Sequence, residues 1–288
     1  MDTTIKNTVV AVLIIMLLAA TATTAEQAIE VADDSEATVI PDSLLKQVES
    51  GHAESAFFIG SAFAQGTMGI DQNLEKAQEW FLKSAEMGYV HGMFETAQLL
   101  FRNKVYDEAK SWFSKAAGAG HGESMYRLSL FNLYEINGET FNCEVAFELL
   151  DKAQLRDVKP AFNDHAWMLS TLPDRKCRNG QKAWKIYAEL QNLYAPNEPI
   201  PWAYLDTKAA VLAEISDFNE AIEVQSWIVE DFCDVDFPKT DEAFKDSLQQ
   251  LILSYEAQDD RLCYGAIQRL QSYVERKPWR EAPEFITE

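Results

Sequence analysis

The chain has 288 residues, of which 47% are hydrophobic and 11% aromatic, so it can bury a sizeable core. Its net charge of −21 argues against nucleic acid as a partner, because phosphates need a basic surface, and equally against adsorption to an anionic membrane surface. A well-solvated exterior accounts for this charge, and attraction of a basic partner or of cations is the alternative.

The first 25 residues have the features of a targeting segment. Lys6 precedes twelve uninterrupted apolar residues at 9–20, and small residues up to Ala25 offer cleavage sites before Glu26. This run is shorter than the roughly 20 residues that a membrane span needs. We therefore expect residues 1–25 to be a signal peptide, with an uncleaved N-terminal membrane anchor as the alternative. The folded part is then exported, most simply to a bacterial periplasm, or faces the periplasm from the inner membrane.

The acidic residues 26–41 show no periodicity and are expected to form a flexible linker. From residue 42 onward the pattern is helical and repeats. Segments that open with Gly51, Gly88 and Gly120 each lead into an apolar helix and then into a second helix of matching pattern. The second helices share a small residue at one position: Ala77, Ala109, Ala146, Ala183, Ala221 and Ala266.

One such helix pair cannot bury its apolar face alone and must stack on its neighbours. The repeat therefore predicts an all-α fold over residues 42–277, a right-handed α-solenoid of about five to six helix–turn–helix repeats. We expect residues 278–288 to form a C-terminal tail.

Four cysteines, an even number, fit an exported protein with disulfides. No two of them have the close spacing of a zinc site. Cys143 and Cys177 both precede the second helix of consecutive repeats, so stacking brings them together and makes them the favoured bridge. Cys233 and Cys263 are expected at opposite ends of their helices, which argues against a second bridge.

First helices line the inner face of such stacks, and three aromatic residues share one position on them. Phe57, Phe94 and Tyr126 each lie three residues before a small residue. They are candidates for a stripe that binds partner side chains, with packing inside each hairpin as the alternative. The polar residues Glu54, His91 and Glu123 precede them and are candidates for orienting a bound chain, or belong to a merely solvated face.

No sequence motif points to catalysis or to a cofactor: there is no nucleophile elbow, no Gly-rich phosphate loop and no zinc-protease motif. His52 and His121 occupy the same repeat position, so repetition explains them. His165 lies on an otherwise apolar helix and is expected in the core. We predict no catalytic residue, no metal site and no cofactor.

The first repeat unit has a set of characteristic residues, of which the next unit keeps Ala109, Trp112 and Phe113. Those of the first unit are Ile59, Gly60, Phe63, Gly66, Gly69, Ile70, Asp71, Lys76, Ala77, Trp80, Phe81, Lys83, Ala85 and Gly88. With these residues the first half of the repeat region resembles the Sel-one-like repeat family, a relative of the tetratricopeptide repeat. Residues 203–229 are closer to an ordinary tetratricopeptide repeat.

This resemblance implies an α-solenoid adaptor that holds proteins or peptides on its concave face, with no cofactor and usually without catalysis. We therefore expect an exported, non-enzymatic scaffold for a protein or peptide partner. Two alternatives stay open at this point. One is a cell-envelope hydrolase that uses the repeats as a substrate platform, and the other is a structural component that self-associates.

Overall fold

The computed structural model describes residues 40–238, 241–256 and 260–283 of the chain. The expected signal peptide at 1–25 and the linker at 26–41, except its last two residues, lie outside the described residues. None of the described helices is both long and apolar enough to cross a bilayer. Within the described ranges the regular elements are helices without strands, which confirms the predicted all-α class. The thirteen α-helices of these ranges are α1 Asp42–Glu49, α2 Ala53–Gln65, α3 Leu74–Glu86, α4 Val90–Arg102, α5 Tyr106–Gly118, α6 Gly122–Leu133, α7 Cys143–Gln154, α8 Lys159–Thr171, α9 Gly180–Asn192, α10 Trp202–Glu214, α11 Phe218–Cys233, α12 Asp241–Glu256 and α13 Arg261–Val274.

Helices α2 to α11 form consecutive pairs that stack in chain order. Within the pairs α2 packs on α3, α4 on α5, α6 on α7, α8 on α9, and α10 on α11. The second helix of each pair also packs on the first helix of the next pair, as α3 does on α4. Helix α1 covers the first pair by packing on α2. The α-solenoid predicted from the repeat is therefore the observed architecture.

The small residue repeated on the second helices explains how closely each pair packs. It is fully buried at Ala77, Ala109, Ala146, Ala183 and Ala221. The first pair has little room to spare, because a Cβ added to Gly60 on α2 would lie 2.7 Å from the ring of Phe81 on α3. Larger residues at these positions would force the two helices apart.

Glycines set the chain reversal between consecutive pairs. Gly88 follows α3 and Gly120 follows α5, with φ angles of 94° and 91°. Glycine adopts this left-handed conformation without the steric penalty of a Cβ. The next first helix begins two residues later in each case, at Val90 and at Gly122. The glycine-led openings therefore fold each new first helix back onto the preceding second helix.

The last helices depart from the predicted order. The sequence pattern assigns α12 and α13 to a sixth pair, with Ala266 on the second helix. In the structure α13 packs directly on α11, where Gln225 Nε2 donates to the carbonyl oxygen of Ala266 at 3.2 Å. Arg269 of α13 also pairs with Asp206 of α10 at 2.9 Å. Helix α13 thus takes the position of a first helix, and the interpretation of Ala266 as a second-helix residue is wrong.

The two helices are equally hydrophobic on average, and they differ in how their apolar residues are arranged. Among the described side chains of α12, Leu248 is the one that is buried. Helix α13 buries five residues, Cys263, Ala266, Ile267, Leu270 and Tyr273. Helix α13 gathers its apolar residues on one face more sharply than α12 does, and its Cys263 is bonded to Cys233 of α11, so α13 packs on α11 and α12 packs on the outside of α13.

Two disulfides are present. The favoured pair is bonded: Cys143 at the start of α7 and Cys177 in the turn before α9 have Cα atoms 6.0 Å apart. Cys233 and Cys263 are also bonded, with Cα atoms 5.7 Å apart. The argument against this second bridge is wrong, because α13 runs antiparallel to α11 and its first turn lies beside the end of α11.

The described part of the C-terminal tail packs against the ends of earlier helices. The backbone N–H of Glu281 donates to the carbonyl oxygen of Thr171, the last residue of α8, at 3.0 Å. Arg280 Nη2 donates to Glu214 at the end of α10 at 2.6 Å. Trp279 packs against the buried cluster formed by α10, α11 and α13. The tail therefore satisfies backbone carbonyls that a helix C-terminus leaves unpaired.

Candidate protein-binding surface

The three aromatic residues predicted to form a stripe lie on the first helices α2, α4 and α6. Phe57, Phe94 and Tyr126 are half-buried in the structure. Phe57 packs on the hydrophobic cluster of the first pair, and Phe94 and Tyr126 pack on clusters of the following pairs. Each ring thus contributes to packing and also reaches the surface, and its role in binding a partner stays a prediction.

Three further rings, those of Tyr89, His91 and His121, connect Phe57 and Phe94 into one line across three repeats. The ring centroid of Phe57 lies 5.3 Å from that of Tyr89 and 6.1 Å from that of His91. The ring of His91 lies 5.3 Å from His121, and His121 lies 4.6 Å from Phe94. We call these five residues the aromatic line. Offset and edge-to-face rings at such distances stabilise one another.

Sequence reasoning missed Tyr89 and His121 as members of this line. Both directly follow the glycine that opens a repeat, at Gly88 and Gly120. That position lies where one repeat meets the next, so its side chain contacts first helices on both sides. The recurrence of an aromatic residue after the opening glycine was the available signal.

His121 has a structural role within the line. The backbone N–H of Ser124 donates to its Nδ1 at 3.3 Å, which caps the start of α6. Its Nε2 lies 3.6 Å from Glu123. Burial lowers the pKa of His121, and Glu123 partly offsets this effect. The ring is therefore neutral near pH 7, and its packing with His91 and Phe94 does not place a charge inside the line.

Polar side chains border the aromatic line. Glu54, His91 and Glu123 are all exposed, which fits both a role in orienting a bound chain and a merely solvated face. The hydroxyl of Tyr89 lies 3.5 Å from Glu54, and burial followed by the Glu54 charge raises the pKa of this tyrosine. Glu95 on α4 is half-buried, and burial raises the pKa of its carboxyl. The surface thus combines exposed ring edges with carboxylates.

Tyr126 differs from the other two members of the predicted stripe. Its hydroxyl donates to Oδ2 of Asp164 on α8 at 2.8 Å, which links two consecutive first helices. Asn163 donates to the other oxygen of Asp164 at 3.2 Å. Burial raises the pKa of Asp164 although both hydrogen bonds act to lower it. Tyr126 therefore positions the repeats as well as bordering the surface.

The structure gives no indication of a metal centre in the part of the chain it describes. Within the described residues no group of three or more His, Cys, Asp or Glu side chains lies close enough to hold an ion. His165 is fully buried, and the side-chain amide of Gln154 lies 3.1 Å from its Nδ1. Burial lowers the pKa of His165 to about 3, so it is neutral at physiological pH.

Comparison with known proteins identifies the first three pairs. The family model described as Sel1 repeat matches residues 53–89, 95–121 and 122–153. These segments lie within α2 to α7 and leave out residues 90–94 of α4, and over them the resemblance to the Sel1 repeat stated from the sequence is confirmed. No curated protein matches the chain significantly.

Solved structures of repeat proteins are among those similar to this chain. A Sel1 repeat protein from Oxalobacter formigenes is 23% identical, with a TM-score of 0.38, over 42% of this chain and 92% of that one. The protein c5321, a protective antigen present in uropathogenic Escherichia coli strains that displays an SLR fold, is 18% identical with a TM-score of 0.43. That match covers 80% of this chain and 43% of c5321, so this chain spans less than half of that protein.

Proposed function

We propose that this protein is an exported, non-catalytic scaffold that binds a protein or peptide through the first-helix surface of its three Sel1 repeats. The observation that carries the proposal is the aromatic line, which runs without interruption from Phe57 to Phe94 through rings of three repeats. Sel1 repeats, which match three segments of this chain, generally mediate protein–protein interaction.

The chemistry of the surface suits a polypeptide. Aromatic rings at the centre of an interface supply much of its binding energy, and surrounding polar groups exclude water and orient the partner. Phe58 adds an exposed ring beside Phe57, with 51% of its surface accessible. Glu54 and Glu123 at the border can accept hydrogen bonds from backbone N–H groups or pair with basic side chains of the partner.

The C-terminal tail supports the proposal by analogy within the same molecule. Residues around Glu281 bind the ends of two first helices through one backbone hydrogen bond, one ion pair and one partly buried tryptophan. A bound partner segment would use the same kinds of contact on α2, α4 and α6. Export is supported by the two disulfides, since such bonds persist in oxidising compartments.

Site-specific photocrosslinking tests the proposal. A benzophenone amino acid is introduced in place of Phe58, which borders the aromatic line, and in a second variant in place of Leu82 on the second helix α3, which is 37% exposed. We expect a discrete crosslinked partner in the native envelope from position 58 and none from position 82. Equal crosslinking at both positions would count against the first-helix surface.

Charge-reversed variants give an independent measurement. The triple variant Glu54→Lys, His91→Glu, Glu123→Lys changes three exposed residues of the surface and is compared with Glu79→Lys, Glu86→Lys on α3. We expect the first to lose the crosslinked partner and the second to retain it. Both should stay folded, and the first should be slightly less stable because His91→Glu removes ring contacts with Phe57 and His121. Retention of the partner by the triple variant would contradict the proposal.

A further inference from the structure

A second surface, on the pair α10 and α11, exposes large aromatic side chains. Trp227 on α11 is 50% exposed. Trp202 at the start of α10 and Phe232 near the end of α11 stack with their ring centroids 4.8 Å apart, and they are 40% and 38% exposed. Folding does not require this exposure, and aromatic rings left at a surface are typical of interaction sites.

Trp227 lines a groove of about 600 Å³ between α10 and α11. Leu205 and Lys208 of α10 form one side, and Val224 and Trp227 of α11 form the other. The groove lies on the face of α11 opposite to the one that packs on α13, because Val229 and Cys233 belong to the buried cluster with α13. It is therefore separate from the aromatic line of the first three pairs.

The groove and its surroundings are strongly acidic. Glu220, Glu223 and Glu230 line it, and a neighbouring depression beside Trp227 is lined by further carboxylates at Asp231, Asp234 and Asp236. Lys208 is the basic residue in the lining, and it pairs with Glu220 at 2.7 Å. Among the described residues no cation forms an ion pair with the other carboxylates of the groove.

The charge selects one kind of occupant. A second copy of this chain carries the same net charge of −21, and the expected linker at 26–41 is also acidic, so both would be repelled. A lysine or arginine side chain is instead attracted by the carboxylates of the groove. Its apolar stem can lie along Leu205 and Val224, and its charged end can contact the face of Trp227 and the carboxylates.

We propose that the groove between α10 and α11 is a docking site for a lysine- or arginine-rich segment of a partner protein. The site lies outside the Sel1 repeats and adds a second binding surface to the one described above. Its contacts combine apolar burial, cation–π interaction and exposed ion pairs, so binding weakens as salt screens the charges.

Fluorescence anisotropy with labelled octalysine tests the proposal on the full chain with its disulfides intact. The variant Trp227→Ala removes the exposed ring. A double variant that combines Glu223→Gln with Asp231→Asn removes two exposed carboxylates. We expect each to weaken octalysine binding about threefold to tenfold, as loss of one cation–π contact or two exposed ion pairs implies. Trp227→Phe, which retains an aromatic face, should recover part of the loss.

The overall acidity of the chain makes a matched control necessary. Glu79→Gln, Glu86→Gln removes two exposed carboxylates from the second helix α3. We expect this pair to change the octalysine affinity less than about twofold, because it removes charge without touching the groove. Equal weakening by both double variants would show that diffuse charge binds the peptide, and the proposal would then be wrong.

Zero-length carbodiimide crosslinking locates the peptide directly. Octalysine amines coupled to this chain should be recovered on peptides that contain Glu223, Glu230 or Asp231, at higher yield than on peptides of α3. Coupling spread evenly over the acidic surface, or absence of octalysine binding at low salt, would overturn the proposal.

Discussion

The hydroxyl of Tyr126 on α6 donates a hydrogen bond to Oδ2 of Asp164 on α8 at 2.8 Å. This contact joins the first helices of two consecutive repeats. It also gives the Asp164 carboxylate a hydrogen-bond donor at a site where burial raises the pKa of that group. Asn163 supplies a second donor to the same carboxyl group at 3.2 Å. The junction between the third and fourth pairs therefore depends on a polar contact as well as on apolar packing.

Replacing Tyr126 with Phe should destabilise the protein in a pH-dependent way. The change removes a donor from Asp164, and we expect the free energy of unfolding at pH 7 to fall by about 1–3 kcal/mol. Because the pKa of Asp164 is raised in the folded state, this carboxyl is protonated in the folded protein at a higher pH than in the unfolded chain. Once it is protonated, the folded protein no longer bears the cost of a buried charge. Urea denaturation should show a smaller loss near pH 4 than at pH 7. The same substitution in an Asp164→Asn background should lose this pH dependence.

His165 should make the protein sensitive to acid. Burial lowers the pKa of His165 to about 3, whereas an unfolded histidine titrates near 6.5. Between these values the unfolded state binds a proton that the folded state does not. The stability from neutral His165 is thus complete above about pH 6.5 and is lost as pH falls, with a slope of up to about 1.4 kcal/mol per pH unit. We expect His165→Phe to flatten the stability curve in this range, and His52→Ala, at an exposed position, to leave it unchanged.

The two disulfides should each stabilise the folded chain substantially. They link residues 34 and 30 positions apart, and loops of this size imply about 3–4 kcal/mol from restricting the unfolded chain. We expect two double variants to lower the denaturation midpoint. One combines Cys143→Ala with Cys177→Ala, and the other combines Cys233→Ala with Cys263→Ala. The denatured, unreduced protein should give no reaction with a thiol reagent. Four reactive thiols would contradict both bridges.

Two glycines on helices should respond in opposite ways to alanine. A Cβ at Gly92 would lie 2.5 Å from Oγ of Ser84 and 2.9 Å from the backbone nitrogen of Ala85. Gly92→Ala should therefore cost about 1–3 kcal/mol through overpacking. Gly118, the last residue of α5, has nothing within 4 Å of the added Cβ, so Gly118→Ala should be neutral or stabilise by up to about 1 kcal/mol. Thermal unfolding distinguishes the two, and equal effects would refute the tight junction between α3 and α4.

Removing the Trp279 side chain should release the C-terminal tail. The ring packs on the cluster of α10, α11 and α13, next to the ion pair between Arg280 and Glu214. Trp279→Ala should let trypsin cleave after Arg280 several times faster than in the parent chain, since local opening then costs less. Mass spectrometry of brief digests measures the rate. An unchanged rate would mean that Arg280 and the backbone hydrogen bond of Glu281 hold the tail without the ring.

Local chemistry made much of the fold predictable. A small residue at a constant place, such as Ala77 or Ala109, allows close helix packing, and Gly88 and Gly120 permit the chain reversals. Both requirements depend on residues within one repeat, so they can be recognised without knowledge of distant contacts. The candidate site was predictable to the same extent: Phe57 and Phe94 could be placed on first helices by their spacing from a small residue.

Contacts between repeats were harder to predict from the sequence. Tyr89 and His121 join the aromatic line because the stack brings one repeat opening beside the next first helix. The bond between Tyr126 and Asp164 depends on the rotation of α8 relative to α6. Neither the rotation nor the distance between these helices can be obtained from the period of the pattern.

The sequence by itself determined the helical class, the stacking of glycine-led pairs and the bridge between Cys143 and Cys177, because each follows from a repeating local pattern. Tertiary structure alone decided that α13 takes a first-helix position, which in turn pairs Cys233 with Cys263 and directs the tail onto α10 and α8. The physical reason is that α13 presents the more one-sided apolar face and is bonded through Cys263 to Cys233, although the two helices are equally hydrophobic on average. Which of the two fits the surface of α11 can be judged only when both helices and their neighbours are in place.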